Sequence, residues 1–389
     1  MTPLSRCRYI PALAIAMLAA AAGHTDGFRP EPLGQVESLP AVYPDHWLVL
    51  HDATFFHMRE GRFLFVDPTA DTVSGQLRGM VSADFIAHYE QSPARREHYV
   101  IESFFSRGGR GGDRTDVVTV YDAASLEVAG EIVIPPKKVS SMPEIFGTAL
   151  VAGDRLLVVY NFAPGQSITV VDLEKREFVA EYPISGCALV IPTGESGVTS
   201  LCSDGSLLTT VLTAEGELAG SHRSEPFMDA DDPMFEKAAI IDGTAYFPTF
   251  MGNVIPVDLS GEAPAPGEPW SLLSAEERAS GWRPGGWQLV ASDRSGRFYV
   301  LMNPEGKEGS HKDGGSEVWV FDVGAGQRVA RIPLPNWGIS IAVNSAEQPL
   351  LVATNGGFAL ETYDATSGDF IKTLAVQTQT VFVTRGMRR

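Results

Sequence analysis

The feature that most constrains this chain is a repeat. An alternating β-run, an aspartate or its equivalent, a polar turn and a second apolar run recur seven times. The copies are Arg62 to Asp67, Val117 to Asp122, Ile168 to Asp172, Leu207 to Thr213, Asn253 to Asp258, Glu317 to Asp322 and Ala359 to Asp364. The fourth ends in threonine and the fifth is followed by a longer insertion. A unit returning in this way marks a fold built from stacked modules that bury their faces against their neighbours. Further strand candidates lie between the copies, among them Leu156 to Asn161, Thr244 to Thr249, Phe298 to Met302 and Leu350 to Thr354. Four strands then fill each repeat. The pattern predicts an all-β fold, a seven-bladed β-propeller with an N-terminal extension. Each repeat aspartate can accept backbone N–H groups from the turn after it, which gives it a structural duty first.

A propeller has to close its ring or expose an edge that invites aggregation. The expected closure pairs a strand near Trp47 to His51 with one near Thr380 to Val383. Composition agrees, because 39 glycines and 26 prolines leave few stretches free of breakers. One short helix is expected at Ser274 to Ala279, where a serine N-cap precedes two glutamates and Gly281 ends the run. No linker divides the rest of the chain. The resulting domain reading is a signal peptide over 1–22, an N-terminal arm over 23–45 and the propeller over 46–389.

The signal peptide is read from Arg6 and Arg8, the apolar stretch Ile10 to Leu18 interrupted by Pro11, and the small residues Ala19 to Ala22. It implies export to the periplasm; an uncut N-terminal anchor is the alternative. No later run approaches the length of a membrane span. Cleavage removes Cys7 and leaves Cys187 and Cys202, an even pair that reads as a disulfide in an oxidising compartment. The bond would staple a hairpin made of Cys187 to Pro192, a turn over Gly194 to Gly197, and Val198 to Cys202. Two free thiols are the other possibility. A formal charge of −18 argues against nucleic acid or an anionic membrane surface as partner, and attracts cations, protonated amines included.

Motifs that carry chemistry are missing: the sequence has no CxxCH, HExxH, GxSxG or GxxxxGK[ST]. The cluster Gly108 to Gly112 lacks the helix opening of a dinucleotide site and reads as an exposed loop. In HDATFFHM, His51 and His57 flank Phe55 and Phe56, a group that either lines a cavity or packs within a blade. Asp231 and Asp232 are a cation site or a solvated turn, and Lys307, His311 and Lys312 are a subunit contact or a hairpin tip. A tryptophan-derived quinone needs two tryptophans together in a small site, and nothing marks such a pair. Trp282 and Trp287 bracket a turn and are suited to pack on a neighbouring surface.

Several runs in order carry a family likeness: RTDVV at Arg114 to Val118, PPKKV at Pro135 to Val139, EPWSLL at Glu268 to Leu273, GWRPGGWQ at Gly281 to Gln288 and GKEGSHK at Gly306 to Lys312. With the spaced cysteines they resemble the heavy subunit of quinoprotein amine dehydrogenases, from about residue 34 to the end. The KEGSHK and PPKK runs look closer to aromatic amine dehydrogenase than to methylamine dehydrogenase. The resemblance implies a periplasmic heterotetramer of two heavy and two light subunits. The light subunit is small and cysteine-rich, and it carries tryptophan tryptophylquinone and the catalytic base. This chain would then hold no covalent cofactor and no metal, and would contribute no catalytic residue. The reaction implied is oxidative deamination of a primary amine to aldehyde and ammonia, with electrons passed to a blue copper protein. A heavy-subunit phenylalanine near the first blade reaches the light subunit's substrate channel in such enzymes, which points to Phe55 or Phe56, Phe56 preferred. A non-catalytic propeller that scaffolds another partner or binds a ligand is the alternative. A self-sufficient propeller enzyme such as a lactonase would need converging metal-binding carboxylates, and the sequence identifies none.

Overall fold

The last strand of the chain, Val381–Gly386, pairs antiparallel with the first, Leu48–Asp52, setting Leu50 opposite Thr384 and His51 opposite Val383. The expected ring closure is therefore present. This computed structural model describes residues 38–108, 111–138 and 142–388. The signal-peptide reading, and the arm reading as far as residue 37, lie outside the described residues.

The described strands form six antiparallel sheets. The first is ordered Val381–Gly386, Leu48–Asp52, Gly61–Val66, Leu77–Ala83. The second is a simple meander of His88–Ser92, Glu97–Phe105, Arg114–Asp122 and Val128–Ile134. Two similar meanders follow, over residues 148–183 and 187–223, and a five-stranded sheet spans 239–271. Side chains from facing sheets share buried clusters in succession. Phe63, Phe65 and Val81 of the first sheet pack with Tyr89 and Val100 of the second. Tyr99, Ile101 and Val118 on the other face of the second pack with Leu157 and Val159 of the third. At the seam, Leu48 and Leu50 pack with Val352 and Leu360. Sheets stacked face to face around a closed circuit make an all-β propeller.

Each of the seven sequence copies is a strand with a neighbour on either side, such as Gly61–Val66, Leu207–Leu212 and Asn253–Asp258. Five sheets hold one copy each, and the sixth, of eight strands, holds two. Seven separate sheets are thus not formed. The cause is Gln327–Val343, a strand of 17 residues that pairs with Gly315–Asp322 through its first half and with Leu350–Asn355 from Gly338 onward. Elsewhere a non-strand connection such as residues 84–87 separates sheets. Here Pro333 and Pro335 hold themselves and their predecessors extended, so the strand never breaks.

The repeat aspartates do what their position requires. The N–H groups of Ala124 and Ser125 donate to Oδ1 of Asp122 at 2.9 and 2.8 Å, those of Glu174 and Lys175 to Asp172 at 2.9 Å, and those of Thr366 and Ser367 to Asp364 at 2.8 Å. In the copy without aspartate, Thr213 Oγ1 accepts from the N–H groups of Glu215 and Glu217 at 3.2 Å. Hydrogen bonds to the ionised form hold the Asp122 carboxyl below the usual range, those from Ser125 first. A depressed carboxyl stabilises the fold above its unfolded value of about 3.9 and stops doing so as pH falls through its folded value. Asp122→Asn is accordingly expected to lower the urea midpoint at pH 6, with the gap to the parent closing below about pH 4. A gap that persists unchanged at pH 2.5 would show that the carboxylate charge is not what the turn uses. Glu102 and Glu144, both pushed up to about 7 mainly by burial, act with the opposite sign. Their stabilisation is complete below about pH 4.3 and fades towards 7, so the Asp122 comparison is made against the parent at each pH.

Cys187 and Cys202 face each other across Cys187–Thr193 and Gly197–Cys202 and form a disulfide. Closing this short loop is worth about 3 kcal/mol in the chain-entropy model. The helix Ala275–Ala279 carries a complete capping box, Ser274 accepting from the Glu277 N–H and Glu277 from the Ser274 N–H. Among the described residues no helix is long and apolar enough to cross a membrane.

Candidate functional site

Beyond Leu48–Asp52 the chain must turn back into Gly61–Val66, and it does so through HDATFFHM. Thr54 and Met58 take left-handed φ values of 46° and 51°, and the Thr54 hydroxyl donates to the Glu60 carbonyl. Asp52, fully buried, organises the loop. Its Oδ1 accepts from the Thr380 N–H at 2.9 Å, and its Oδ2 accepts from the Gln379 N–H at 3.1 Å and from Arg62 at 2.9 and 3.1 Å. Thr380 Oγ1 in turn accepts the Phe55 N–H at 2.7 Å. Phe55 is thereby fixed half-buried, while Phe56 stands 73% exposed at the loop tip.

Antiparallel alternation sends every second connection out of the same end of a sheet. The loop 53–60 therefore meets the connections around Phe85, Phe358 and Trp287, and Phe382 at the start of Val381–Gly386. Ring centroids lie 6.0 Å apart for Phe55 and Phe85, 5.9 Å for Phe55 and Phe382, 6.1 Å for Phe56 and Phe358, and 5.4 Å for Phe358 and Phe382. Phe382 continues to Trp287 at 5.3 Å, and Lys237 and Lys312 place their ammonium groups 5.3 and 5.2 Å from the Trp287 ring. Trp287 Nε1 donates to the Pro143 carbonyl at 3.2 Å. The result is a strip of edge-to-face and tilted rings running from the first sheet to the eight-stranded one, with two cations at its far end. Lys237 is also held by Glu236 and lies 3.6 Å from Glu144. Such a surface can shape and dry an entrance.

The two histidines of HDATFFHM part company. His51 is 4% exposed, tilted against Phe63 at 4.4 Å, and burial pushes it down to about 3, so it is a neutral packing group. His57 is exposed. Asp232 is a turn organiser, accepting from Thr249 Oγ1, the Met251 N–H and Asn253 Nδ2 at 2.7 Å. Gly108, Gly111 and Gly112 are exposed, as expected of a loop. In GKEGSHK, Lys312 reaches Trp287 and His311 approaches Phe250 at 6.4 Å. Trp282 does meet another tryptophan, Trp319, at 5.0 Å, a contact the sequence did not signal. Trp319 is fully buried, its Nε1 donates to Glu317 at 2.7 Å, and Arg331 covers both rings at 5.0 and 4.8 Å. Among the described residues no group of three or more metal-ligating side chains converges.

Residues 45–385 match the family described as methylamine dehydrogenase heavy chain (MADH). The chain belongs to the methylamine dehydrogenase heavy chain family. It is 30% identical over 313 residues to the methylamine dehydrogenase heavy chain of Paracoccus versutus, covering 78% of this chain and 72% of that one. It is 28% identical over 324 residues to the heavy chain of Methylobacillus flagellatus, covering 82% and 80%. Among solved structures it is similar to a putative 6-phosphogluconolactonase from Bacteroides uniformis, with a TM-score of 0.59 at 10% identity over 88% of this chain and 99% of that one. It is similar also to a periplasmic gluconolactonase from Pseudomonas aeruginosa, with a TM-score of 0.54 at 15% identity over 87% and 98%. At these identities the structural likenesses speak for the propeller alone. Membership of the heavy chain family makes the chain a subunit of an amine dehydrogenase and implies a light-subunit partner.

Proposed function

We propose that this chain is the platform of an exported amine dehydrogenase that oxidatively deaminates primary amines. Counting the eight-stranded sheet as two blades that share Gln327–Val343 makes the platform a seven-bladed disk. A small cysteine-rich light subunit sits on the end of the disk that carries the aromatic strip, and two such pairs form the heterotetramer. The signal peptide sends the chain to the periplasm, and a blue copper protein there accepts the electrons. Tryptophan tryptophylquinone on the light subunit supplies the two-electron oxidation of the amine.

The contribution of this chain is steric and dielectric. Phe56 projects into the light subunit's substrate channel from a loop that Asp52 and Thr380 hold, and Phe55 buttresses it against Phe85 and Phe382. Aromatic rings at a channel wall exclude water and limit the substrate's size, so they set preference without making bonds. The observation that carries this reading is an exposed phenylalanine on a fixed loop of a family heavy chain. The reading is tested on the assembled enzyme with Phe56→Ala. Ratios of kcat/KM across a series of primary amines of increasing size are expected to shift by roughly tenfold towards bulkier ones. Unchanged ratios would remove Phe56 from the channel.

A further inference from the structure

A cavity left unused by that reading lies beside the same loop. Between the first and second sheets is a cavity of about 640 Å³, bounded by Met58, Phe85, Phe104 and Tyr121, with Asp84 and Glu102 in its lining. That volume suits a small organic molecule. Its charges are unequally served. Arg114 is bound through two nitrogens to Asp116 at 2.7 Å. Asp84 is paired with Lys138 at 2.9 Å and accepts the N–H groups of Ile86 and Ser103 at 2.9 and 2.5 Å.

Glu102 is different. It is 3% exposed, and no basic side chain among the described residues forms a salt bridge with it; Thr119 Oγ1 donates to its Oε1 at 2.5 Å. Burial pushes its carboxyl up to about 7, which the Thr119 bond and the charge of Lys138 offset only in part. A buried carboxylate is stable only when paired. Here the walls are aromatic, and aromatic faces attract organic cations as well as apolar groups. Arg59 and Glu60, both exposed, add one charge of each sign to the lining, so the shortage is still of one cation with an apolar body.

We propose that this cavity binds organic ammonium ions, with Glu102 anchoring the ammonium group and Phe85, Phe104 and Tyr121 contacting the organic body. The assignment stands on the cavity and needs neither a light subunit nor a substrate channel, so it can fail or hold independently of the proposed function. An overall charge of −18 raises the local concentration of such ions near the protein.

The test is calorimetric titration of the full chain, free of any partner, with benzylammonium chloride at pH 8 and with benzyl alcohol as the uncharged counterpart. Benzylammonium is expected to bind one to one and more tightly than benzyl alcohol. Glu102→Gln, which keeps the shape and the Thr119 contact, is expected to weaken it about tenfold, the loss of one charge-assisted hydrogen bond. Phe104→Ala is the second variant, since Phe104 is 49% exposed at the rim and its loss leaves the core intact; it is expected to weaken binding of both probes. Equal affinity in Glu102→Gln, or no binding to the parent at millimolar concentrations, overturns the proposal. So does binding to the free chain that disappears in the assembled complex, because the cavity would then belong to a cationic side chain of the partner.

Discussion

Asp52→Ala is expected to destabilise the protein by about 2–4 kcal/mol, the cost of taking a buried charged acceptor from a buried N–H and from Arg62. The aspartate is fully buried at the seam of the ring and ties together three pieces of chain: its own strand, Arg62 on the next, and the Gln379 and Thr380 N–H groups that lead into Val381–Gly386. Alanine leaves both N–H groups without the acceptor they have; the Thr380 donor is buried and costs roughly 1–3 kcal/mol, while the exposed Gln379 can turn to water. Arg62 suffers less, because its side chain is 32% exposed and also donates to the Gln377 carbonyl at 2.8 Å. Asp122→Ala is the control: it removes a half-buried turn carboxylate that serves only its own turn, away from the seam. Urea midpoints for the two variants, measured side by side, decide the matter. Equal losses would mean that the seam is held by its strand pairing alone.

The turns and the disulfide are legible in the sequence because each rests on residues close together in the chain, and the seam because a ring of repeats has to close on its two ends. The aspartate that ends a β-run must face the N–H groups of the next two or three residues, so Asp122, Asp172 and Asp364 announce their turns before any fold is known. The outer strands announce nothing. Glu177–Pro183 and Leu218–Arg223 are solvated at a sheet edge, carry no apolar alternation, and are strands only because a neighbour offers them hydrogen bonds. Gln327–Val343 is unforeseen for the opposite reason: proline is uncommon inside a strand, yet its two prolines keep the backbone extended.

The aromatic strip was legible only at its two flagged points, HDATFFHM and GWRPGGWQ. Phe55, Phe85, Trp287, Phe358 and Phe382 come from five separate stretches and meet because the ring closes, a coincidence of topology that no local pattern encodes. The same holds for the cavity at Glu102. From sequence, Glu102 is one acid among the 48 Asp and Glu of the chain. Only the pairing of Arg114 with Asp116 and of Lys138 with Asp84 shows that neither forms its salt bridge with Glu102.

That neighbouring pair supports the second large effect. Lys138 is buried completely, with its ammonium 2.9 Å from Asp84 and 3.5 Å from the Ile86 carbonyl, and its backbone N–H donates to Asp116 at 3.1 Å. Lys138→Met keeps the length of the side chain and deletes the charge, which strands Asp84 and is expected to cost about 3–5 kcal/mol. Asp84→Asn alone strands the lysine instead. The double variant leaves no unpaired charge, so a double-mutant cycle should recover at least about 1 kcal/mol relative to the sum of the single losses. Simple additivity would mean that the two groups do not stabilise one another. The pair also tunes the cavity, because Asp84 lines it beside Glu102 and Lys138 supplies its only salt-bridge partner among the described residues. With Lys138 replaced, two carboxylates face the same space without a cation between them, and benzylammonium should bind Lys138→Met more tightly than the parent. Weaker binding in that variant would place the ammonium away from both acids.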